Sequence, residues 1–273
     1  MSLIGQMIPR RLKDSLKVLL GYSYAIPIAK PHEENLFDCP VCGASQVEFD
    51  PLPMYYFREL FENQHIHPSF QAETINIEFF SCTNCHAIDR DRLYALYLRN
   101  NLSGEKRLHL LDIAPSNPLT PFLRKQENLV IRTADLNMEG VDDKVDITNM
   151  PIYKNESFDI FICSHVLEHI PEDLKAMKEL YRILKPSGWG IIMVPILLGL
   201  KDIYENDEII DAAGRWQHFG QDDHVRMYSK PGFIQRLQLA GFTVSQYGKD
   251  YFGPELFKKY GIHHRSILYI VSK

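Results

Sequence analysis

The segment Phe158-Asp159-Ile160-Phe161-Ile162-Cys163-Ser164 decides the fold. It is short and almost continuously apolar, which is typical of a β-strand that is buried on both faces. Comparable runs lie on both sides of it, separated by stretches with helical periodicity such as Glu172–Leu184, and this alternation is typical of an α/β fold. The pattern predicts a seven-stranded, mostly parallel sheet with helices on both faces. The other predicted strands are Leu108–Ile113, Leu129–Asp135, Lys144–Asp146, Gly190–Val194, Phe242–Tyr247 and Ser266–Val271.

Acidic residues stand at the ends of three of these strands. Asp112 ends the first strand, Asp135 ends the second and Asp146 ends the third. In open α/β sheets, ligands bind beyond the carboxyl ends of the strands. We therefore expect the three carboxylates to converge on one ligand-binding edge.

Four segments carry a family resemblance. They read Asp146-Ile-Thr-Asn-Met-Pro151, Ser157-Phe-Asp159, Ser164-His-Val-Leu-Glu-His-Ile170 and Leu180-Tyr-Arg-Ile-Leu-Lys-Pro-Ser-Gly188. In this order they resemble the class I S-adenosylmethionine-dependent methyltransferases, in particular the methyltransferase type 11-like group. The resemblance covers about residues 108–273 and implies a Rossmann-like domain that binds S-adenosyl-L-methionine. Helical periodicity separately predicts a linking helix within 88–104, over Asp89–Asn101, in which Leu93, Leu96 and Tyr97 share one face and Arg90, Arg92 and Arg99 project elsewhere. With this helix the domain is predicted to span residues 88–273.

The same resemblance implies which residues touch the cofactor. The carboxylate that ends the second strand would accept both ribose hydroxyl protons, a geometry that suits a vicinal diol. The residue after it would pack on the adenine, and the end of the fourth strand would lie under the methionine part and face the acceptor. The implied cofactor residues are Asp112, Ala114, Pro115, Asp135, Leu136, Asp146, Ile147, Ser164, His165 and His169.

The turn after the first strand departs from the family pattern. It reads Asp112-Ile-Ala-Pro-Ser-Asn-Pro118, where family members have a glycine-rich turn that lets the backbone approach the cofactor. Pro115 has no N–H to donate, whereas Ala114 and Ser116 are small. A bacterial subgroup with a cysteine-knuckle N-terminus resembles this chain both in the Ile-Ala-Pro turn and in Phe219–Arg226. We therefore interpret the turn as a variant that still binds the cofactor.

Four of the five cysteines form two pairs, Cys39-Pro-Val-Cys42 and Cys82-Thr-Asn-Cys85. Two such pairs are typical of a structural zinc site, in which four sulfurs surround the ion and leave no open position. Cys82–His86 also matches the covalent haem pattern, but that attachment needs export and leaves the first pair unexplained. A redox-active pair of cysteines is a further alternative, but it would not require a second cysteine pair. Residues 31–87 are thus predicted to form a small zinc-ribbon-like module, and Cys163 is predicted to lie in the core.

Charge and hydropathy restrict the partners and the location. The net charge is −5, and residues 43–81 contain six acidic residues against Arg58 alone, which argues against nucleic acid. No segment is apolar enough to span a membrane, and the start lacks the features of a signal peptide, so we expect a cytoplasmic protein. Residues 1–30 are predicted to contain a basic amphipathic helix. Its residues 8–20 could rest on the inner membrane face, although packing on the protein itself or on a dimer partner is the preferred interpretation.

The segment Pro195–Arg226 follows the fifth strand, where the resemblance implies a cover over the acceptor site. It is rich in hydrogen-bonding side chains, and we predict His224, His165 and Asp222 as catalytic residues, with a histidine as general base. A polar cover favours O-methylation of a saccharide or other small polar acceptor. The basic arm adds the hypothesis that this acceptor is lipid-linked. The alternatives are a zinc-module RNA methyltransferase and a non-catalytic, partner-binding scaffold. The segment His165–His169 also matches an inverted zinc-protease signature, but its strand-to-helix setting favours the methyltransferase interpretation.

Overall fold

A computed structural model describes residues 36–273 except Ser103 and Glu105, together with the backbone but not the side chain of Phe70. The predicted basic helix within residues 1–30 lies outside the described residues. Residues Phe37–Lys273 pack as one compact unit. Their core is continuous, because Phe37 and Cys82 belong to the same apolar cluster as Ile160 in the central sheet. The predicted division between a module at 31–87 and a domain at 88–273 stays a prediction.

A seven-stranded sheet forms the centre of this unit, as predicted. Its strands are β3 (Leu108–Ile113), β4 (Leu129–Asp135), β5 (Asp143–Lys144), β6 (Phe158–Ser164), β7 (Leu184–Met193), β10 (Thr243–Tyr247) and β11 (Leu268–Ser272). Their order in the sheet is β10-β11-β7-β6-β3-β4-β5, in which β11 runs antiparallel to both of its neighbours and the other strands are parallel. The central strands are apolar on both faces because helices cover both sides of the sheet.

The remaining elements surround this sheet. Two short antiparallel pairs lie outside it: β1 (Phe49–Asp50) with β2 (Ser81–Cys82), and β8 (Tyr204–Glu205) with β9 (Arg226–Met227). Short 3-10 helices cover Ser69–Gln71 and Leu167–His169. The α-helices are α1 (Met54–Glu62), α2 (Asp89–Asn101), α3 (Leu119–Arg124), α4 (Asp173–Ile183), α5 (Ala212–Phe219), α6 (Lys230–Leu239), α7 (Lys249–Phe252) and α8 (Pro254–Lys259).

Strand β7 is longer than its sequence indicates. It begins at Leu184 and not at Gly190, and its pairing with β6 is irregular between Phe158 and Ile160. The first residues of β7 are held beside β6 by Lys185, whose Nζ lies 2.6 Å from the buried carboxylate of Asp159. Residues 184–189, which were expected to form only a helix end and a turn, therefore belong to the sheet as well.

Helix α2 has the predicted bounds but a different environment. Arg90, Arg92 and Arg99 were expected to project away from the apolar face, yet Arg92 is fully buried. Its guanidinium donates to five carbonyl oxygens at 2.6–3.1 Å, and two of these lie about 170 residues further along the chain. Arg92 thereby joins residues 36–87, which we call the cysteine region because they carry the four paired cysteines, to the C-terminal part of the chain. The acceptors are the carbonyl oxygens of Phe79, Phe80, Ala87, Tyr260 and Gly261.

Within the described part of the chain, no helix is long and apolar enough to cross a membrane.

Candidate functional site

The carboxyl edge of the sheet is built from two strained turns. Ala114, just after β3, has φ +51°, and His165, just after β6, has φ +56°. Their N–H groups donate to Ala134 O at 2.9 Å and to Met193 O at 2.8 Å, so the neighbouring strands hold both turns. Left-handed backbone costs a non-glycine residue about 1–2 kcal/mol. The glycine-poor turn thus adopts the glycine-type conformation although it lacks glycine.

A cavity of about 370 Å³ lies under the first of these turns. Asp112 from β3 and Asp91 from α2 line it, and both are buried. Burial raises the pKa of Asp112 to about 7, because Asp91 adds repulsion while only Thr120 Oγ1, at 3.2 Å, donates to the carboxylate. Burial likewise raises the pKa of Asp91. Arg90 and Arg92 offset part of the rise at Asp91, and Arg124 offsets part of the rise at Asp112. The two buried carboxyls therefore give this cavity an acidic wall.

Arg90 stands between this cavity and a second one. It lines both cavities, and it forms no ion pair with any described residue within 4.0 Å. Tyr94 lies one helical turn from both Arg90 and Asp91, and Tyr94 O–H forms a 2.8 Å hydrogen bond with Ser164 Oγ. Sequence reasoning missed all three α2 residues, although their one-helix-turn spacing was a signal that could have found them.

The other predicted cofactor residues lie further along the same edge. Asp135 Oδ1 accepts the N–H groups of Asn137 and Met138, each at 2.7 Å. Leu136 is 58% exposed and Met138 is 39% exposed, so apolar surface adjoins the Asp135 carboxylate. Pro115 lines a groove of about 500 Å³ that also includes Met138.

The third strand contributes two more of the predicted residues. Asp146 accepts from the N–H and hydroxyl of Thr148, both at 2.8 Å, and Ile147 is buried beside it. Asp146 lies just beyond the end of β5, which is Lys144. Of the ten predicted cofactor residues, Asp112, Ala114 and Ser164 line the 370 Å³ cavity.

The second cavity, of about 180 Å³, lies between the cysteine region and the Pro195–Arg226 segment. His165 and His224 line it, as do Gln221 and Arg90, whereas most of the remaining wall is apolar. The apolar walls are Leu52, Tyr56, Leu60, Ala72, Ile75, Phe80, Pro195, Leu197, Phe219 and Met227. Asp222 is exposed and is not among the residues that line this cavity.

A buried carboxylate lies behind the cavity histidines. Glu168 is fully buried, and its Oε1 lies 3.2 Å from His165 Nδ1. The ring of His224 contacts the ring of His169 edge-on, with centroids 4.7 Å apart, and His169 Nδ1 lies 3.2 Å from Asp223 Oδ2. Burial, assisted by Arg90, lowers the pKa of His165 to about 4, so its imidazole is neutral near pH 7. Sequence reasoning missed Glu168 as a site residue because it interpreted His165–His169 as a family motif and rejected the metal-ligand signature that includes Glu168.

The four paired cysteines converge in the structure. Their Sγ atoms all lie within 4.8 Å of one another, and we call Cys39, Cys42, Cys82 and Cys85 the cysteine cluster. Cys39 Sγ and Cys85 Sγ are 3.7 Å apart, close to the roughly 3.8 Å that two sulfurs at about 2.3 Å from one tetrahedral zinc would show. The residues present therefore fit a zinc ion.

Both cysteine pairs have the same backbone geometry. The residue after each pair is left-handed, with φ +78° at Gly43 and +61° at His86. Its N–H donates back to the first cysteine carbonyl, at 2.9 Å to Cys39 O and 2.8 Å to Cys82 O. Two matching turns aim their sulfurs at one point. His86 also lines the 370 Å³ cavity, so the second turn reaches the candidate cofactor site.

Residues 70–247 match the family described as a methyltransferase domain. The chain belongs to this methyltransferase family. The match covers the strand-end residues and begins before the second cysteine pair, so part of the cysteine region lies within it. The expected class I S-adenosylmethionine-dependent methyltransferase is thereby confirmed at the level of the family, whereas the cysteine-knuckle subgroup stays a prediction.

One curated protein and two solved structures illustrate the similarity of this methyltransferase to others. Over 130 residues it is 28% identical to the ubiquinone/menaquinone biosynthesis C-methyltransferase UbiE of Hydrogenovibrio crunogenus, covering 41% of this chain and 50% of that protein. The chain thus spans about half the length of this curated relative.

Both structural similarities are distant. The Burkholderia thailandensis 1,6-didemethyltoxoflavin-N1-methyltransferase, with bound S-adenosylhomocysteine, shows a TM-score of 0.47 and 16% identity over 67% of this chain and 77% of that one. An S-adenosylmethionine-dependent methyltransferase from Mesorhizobium loti shows a TM-score of 0.42 and 13% identity over 65% and 96%.

Proposed function

We propose that this protein transfers the methyl group of S-adenosylmethionine to a hydroxyl group of a small acceptor. The observation that carries the proposal is the pair of cavities that share Arg90. One cavity lies at the carboxyl edge of the sheet, and the other lies under the segment that follows β7. Adjacent residues face them, since Ser164 lines the first cavity and His165 lines the second.

The charges of the first cavity suit the methionine part of the cofactor. Asp112 and Asp91 would hold its ammonium group, and Arg90 would hold its carboxylate. Asp135 would bind the ribose, and the exposed side chains of Leu136 and Met138 would cover the adenine. The cofactor supplies a methyl group already activated on a sulfonium. The protein therefore has to align the acceptor and exclude water.

His165 is proposed as the general base. Its Nδ1 faces the Glu168 carboxylate at 3.2 Å, which favours the proton on Nδ1 and leaves Nε2 free to accept one. Its lowered pKa keeps the imidazole neutral near pH 7, the form that a base requires. His224 is the second candidate because it lines the same cavity. Asp222, exposed and outside the cavity lining, is the weakest of the three predicted catalytic residues.

The walls of the second cavity suggest the class of acceptor. Most of them are apolar, and the polar residues of the lining include His165, Arg90 and His224. Such a cavity suits an acceptor that has an apolar body and presents a hydroxyl at one end. A lipid-linked saccharide offers an apolar part and a hydroxyl, and the less favoured interpretation of residues 8–20, contact with the inner membrane face, would bring the protein close to such an acceptor.

The zinc ion is proposed as a structural component. The cysteine cluster offers four sulfurs and so leaves no coordination position for chemistry. Its role would be to fix the wall of the acceptor cavity that Tyr56, Ile75 and Phe80 provide. The acidic balance of residues 43–81 disfavours the RNA methyltransferase alternative.

A two-step experiment tests this function. Calorimetry should show that the purified chain binds S-adenosylmethionine, and labelled-methyl transfer to fractions of a cell extract should label the lipid or saccharide fraction. His165→Asn, which tolerates the left-handed backbone, should retain cofactor binding but lose at least about 100-fold in methyl transfer. The matched control is His109→Asn, an exposed residue of β3. Lack of cofactor binding would favour the scaffold alternative, and label in RNA would favour the RNA alternative.

A further inference from the structure

A second group of ligating side chains lies beside the acceptor cavity. Glu168, His169 and His224 each offer one ligand atom within 4.8 Å of the other two, and we call them the histidine–glutamate cluster. Glu168 and His169 are neighbours in the 3-10 helix after β6, whereas His224 comes from the segment before β9. Two imidazoles and one carboxylate form a donor set that binds divalent transition metals and leaves positions open.

The Glu168 carboxylate lacks the partners that its burial requires. The side chain is fully buried, and neither oxygen accepts a well-formed hydrogen bond from any described residue. His165 Nδ1 approaches Oε1 at 3.2 Å, and no Lys or Arg among the described residues forms an ion pair with Glu168. A buried carboxylate without a cationic partner is strongly destabilising. A bound cation would supply the missing charge.

The two segments that carry the cluster are held together by other contacts. Val225 N–H donates to Glu168 O at 2.9 Å, which fixes the neighbour of His224 against the 3-10 helix. Arg226 donates to the carbonyl oxygens of Leu167 at 3.0 Å and Pro171 at 2.8 Å. Hydrogen bonds to backbone carbonyl oxygens thus hold the two segments together without an ion, as a preorganised site requires.

We propose that Glu168, His169 and His224 bind one divalent transition-metal cation whose open coordination positions face the acceptor cavity. His224 lines that cavity, so the cation would be accessible from it. Bonds of about 2.1 Å place metal ligands about 3 Å apart, which side-chain rotation within the cluster would achieve. On the proposed methyl transfer, the cation would bind the acceptor hydroxyl and lower its pKa. Cation binding itself does not depend on that function.

Titration with Co²⁺ tests the site directly. The probe is added to the purified full chain after one equivalent of Zn²⁺ has been supplied for the cysteine cluster, and uptake is followed by calorimetry and by visible absorption. We expect one Co²⁺ per chain with no thiolate charge-transfer band. Glu168→Gln and His224→Gln should each weaken binding at least about 100-fold, because each removes one of three ligands. His109→Gln, exposed and distant in the sheet, is the matched control and should bind as the wild type does.

Three outcomes would overturn the proposal. They are no Co²⁺ uptake by the wild type, equal affinity in the wild type and both cluster variants, and an absorption band that places Co²⁺ on sulfur. Thermal unfolding of each variant shows whether it is folded. The two variants lie in different segments, so a folding defect in one leaves the other as the test. Methyl transfer is not measured, so failure here is distinguishable from failure of the proposed function.

Discussion

The cysteine region and the carboxyl edge of the sheet use polar groups in opposite ways. In the cysteine region the polar groups are paired: the first cysteine carbonyl of each turn accepts an N–H, and Arg92 of α2 donates to three carbonyl oxygens there, although His86 is as left-handed as Ala114. At the edge, buried carboxylates lack strong cationic partners: the pKa of Asp112 is raised, and Glu168 forms no ion pair with a described Lys or Arg. The comparison supports a stabilising role for the first region and agrees with the binding role proposed for the second.

Replacing a cysteine should produce the largest effect, and it tests whether the cysteine region stabilises the fold. Cys82→Ser removes a fully buried ligand of the proposed zinc, and we expect a loss on the order of 5 kcal/mol or more in the free energy of unfolding. Thermal unfolding and elemental zinc analysis measure both consequences. Cys163→Ala, in the sheet core, should cost about 1 kcal/mol and leave the zinc content unchanged. Equal losses in the two variants would contradict a zinc role.

Arg92→Met should have the next largest effect. The substitution leaves five carbonyl oxygens without their donor, and we expect a loss of about 3–5 kcal/mol in denaturant unfolding. Arg107→Met is the control, since Arg107 is exposed and should change stability by less than about 0.5 kcal/mol. A small effect of Arg92→Met would mean that the cysteine region does not depend on this contact.

Asp112→Asn should stabilise the cofactor-free protein while weakening cofactor binding. The folded pKa of Asp112 is raised from 3.8 to about 7 by burial, so the folded state holds its proton more tightly than the unfolded state. Ionisation of Asp112 therefore lowers the free energy of unfolding as pH rises from about 4 to about 7. At pH 8 the free energy of unfolding of Asp112→Asn should exceed that of the wild type by roughly 2–4 kcal/mol.

The pH dependence distinguishes this charge effect from a packing effect. The gain in unfolding free energy should disappear near pH 4, whereas S-adenosylmethionine affinity at pH 8 should fall at least about tenfold. Asp250→Asn, at an exposed position, should change neither quantity. A gain that is the same at pH 4 and pH 8 would contradict the buried-charge explanation.

Ala114→Gly should have the smallest effect. Glycine adopts φ +51° without the cost that alanine incurs, and this relief exceeds the extra chain entropy of glycine when unfolded. We expect a gain of up to about 1 kcal/mol in unfolding free energy. Ala95→Gly in the middle of α2 is the matched control and should lose about 1 kcal/mol. Loss of stability in both variants would mean that the turn is not strained.

Much of the fold was predictable because its signals are local. The bounds of β3, β4, β6 and α2 match the predicted ones, since short apolar runs and capped helices are determined by neighbouring residues. The start of β7 was missed because Lys185 is held beside β6 by a partner, Asp159, that no local pattern indicates. The outward position expected for Arg92 was wrong for the same reason, because its acceptors lie in distant segments.

The sequence by itself determined the sheet, the methyltransferase family and the pairing of the cysteines, because strand periodicity and cysteine spacing are encoded over a few residues. Only the tertiary structure decided that Asp91 joins Asp112 in one cavity and that His224 meets Glu168. These groups come from different elements, and their proximity depends on how the helices and the segment after β7 pack on the sheet. The chemistry of the edge is therefore a property of packing, not of any one segment.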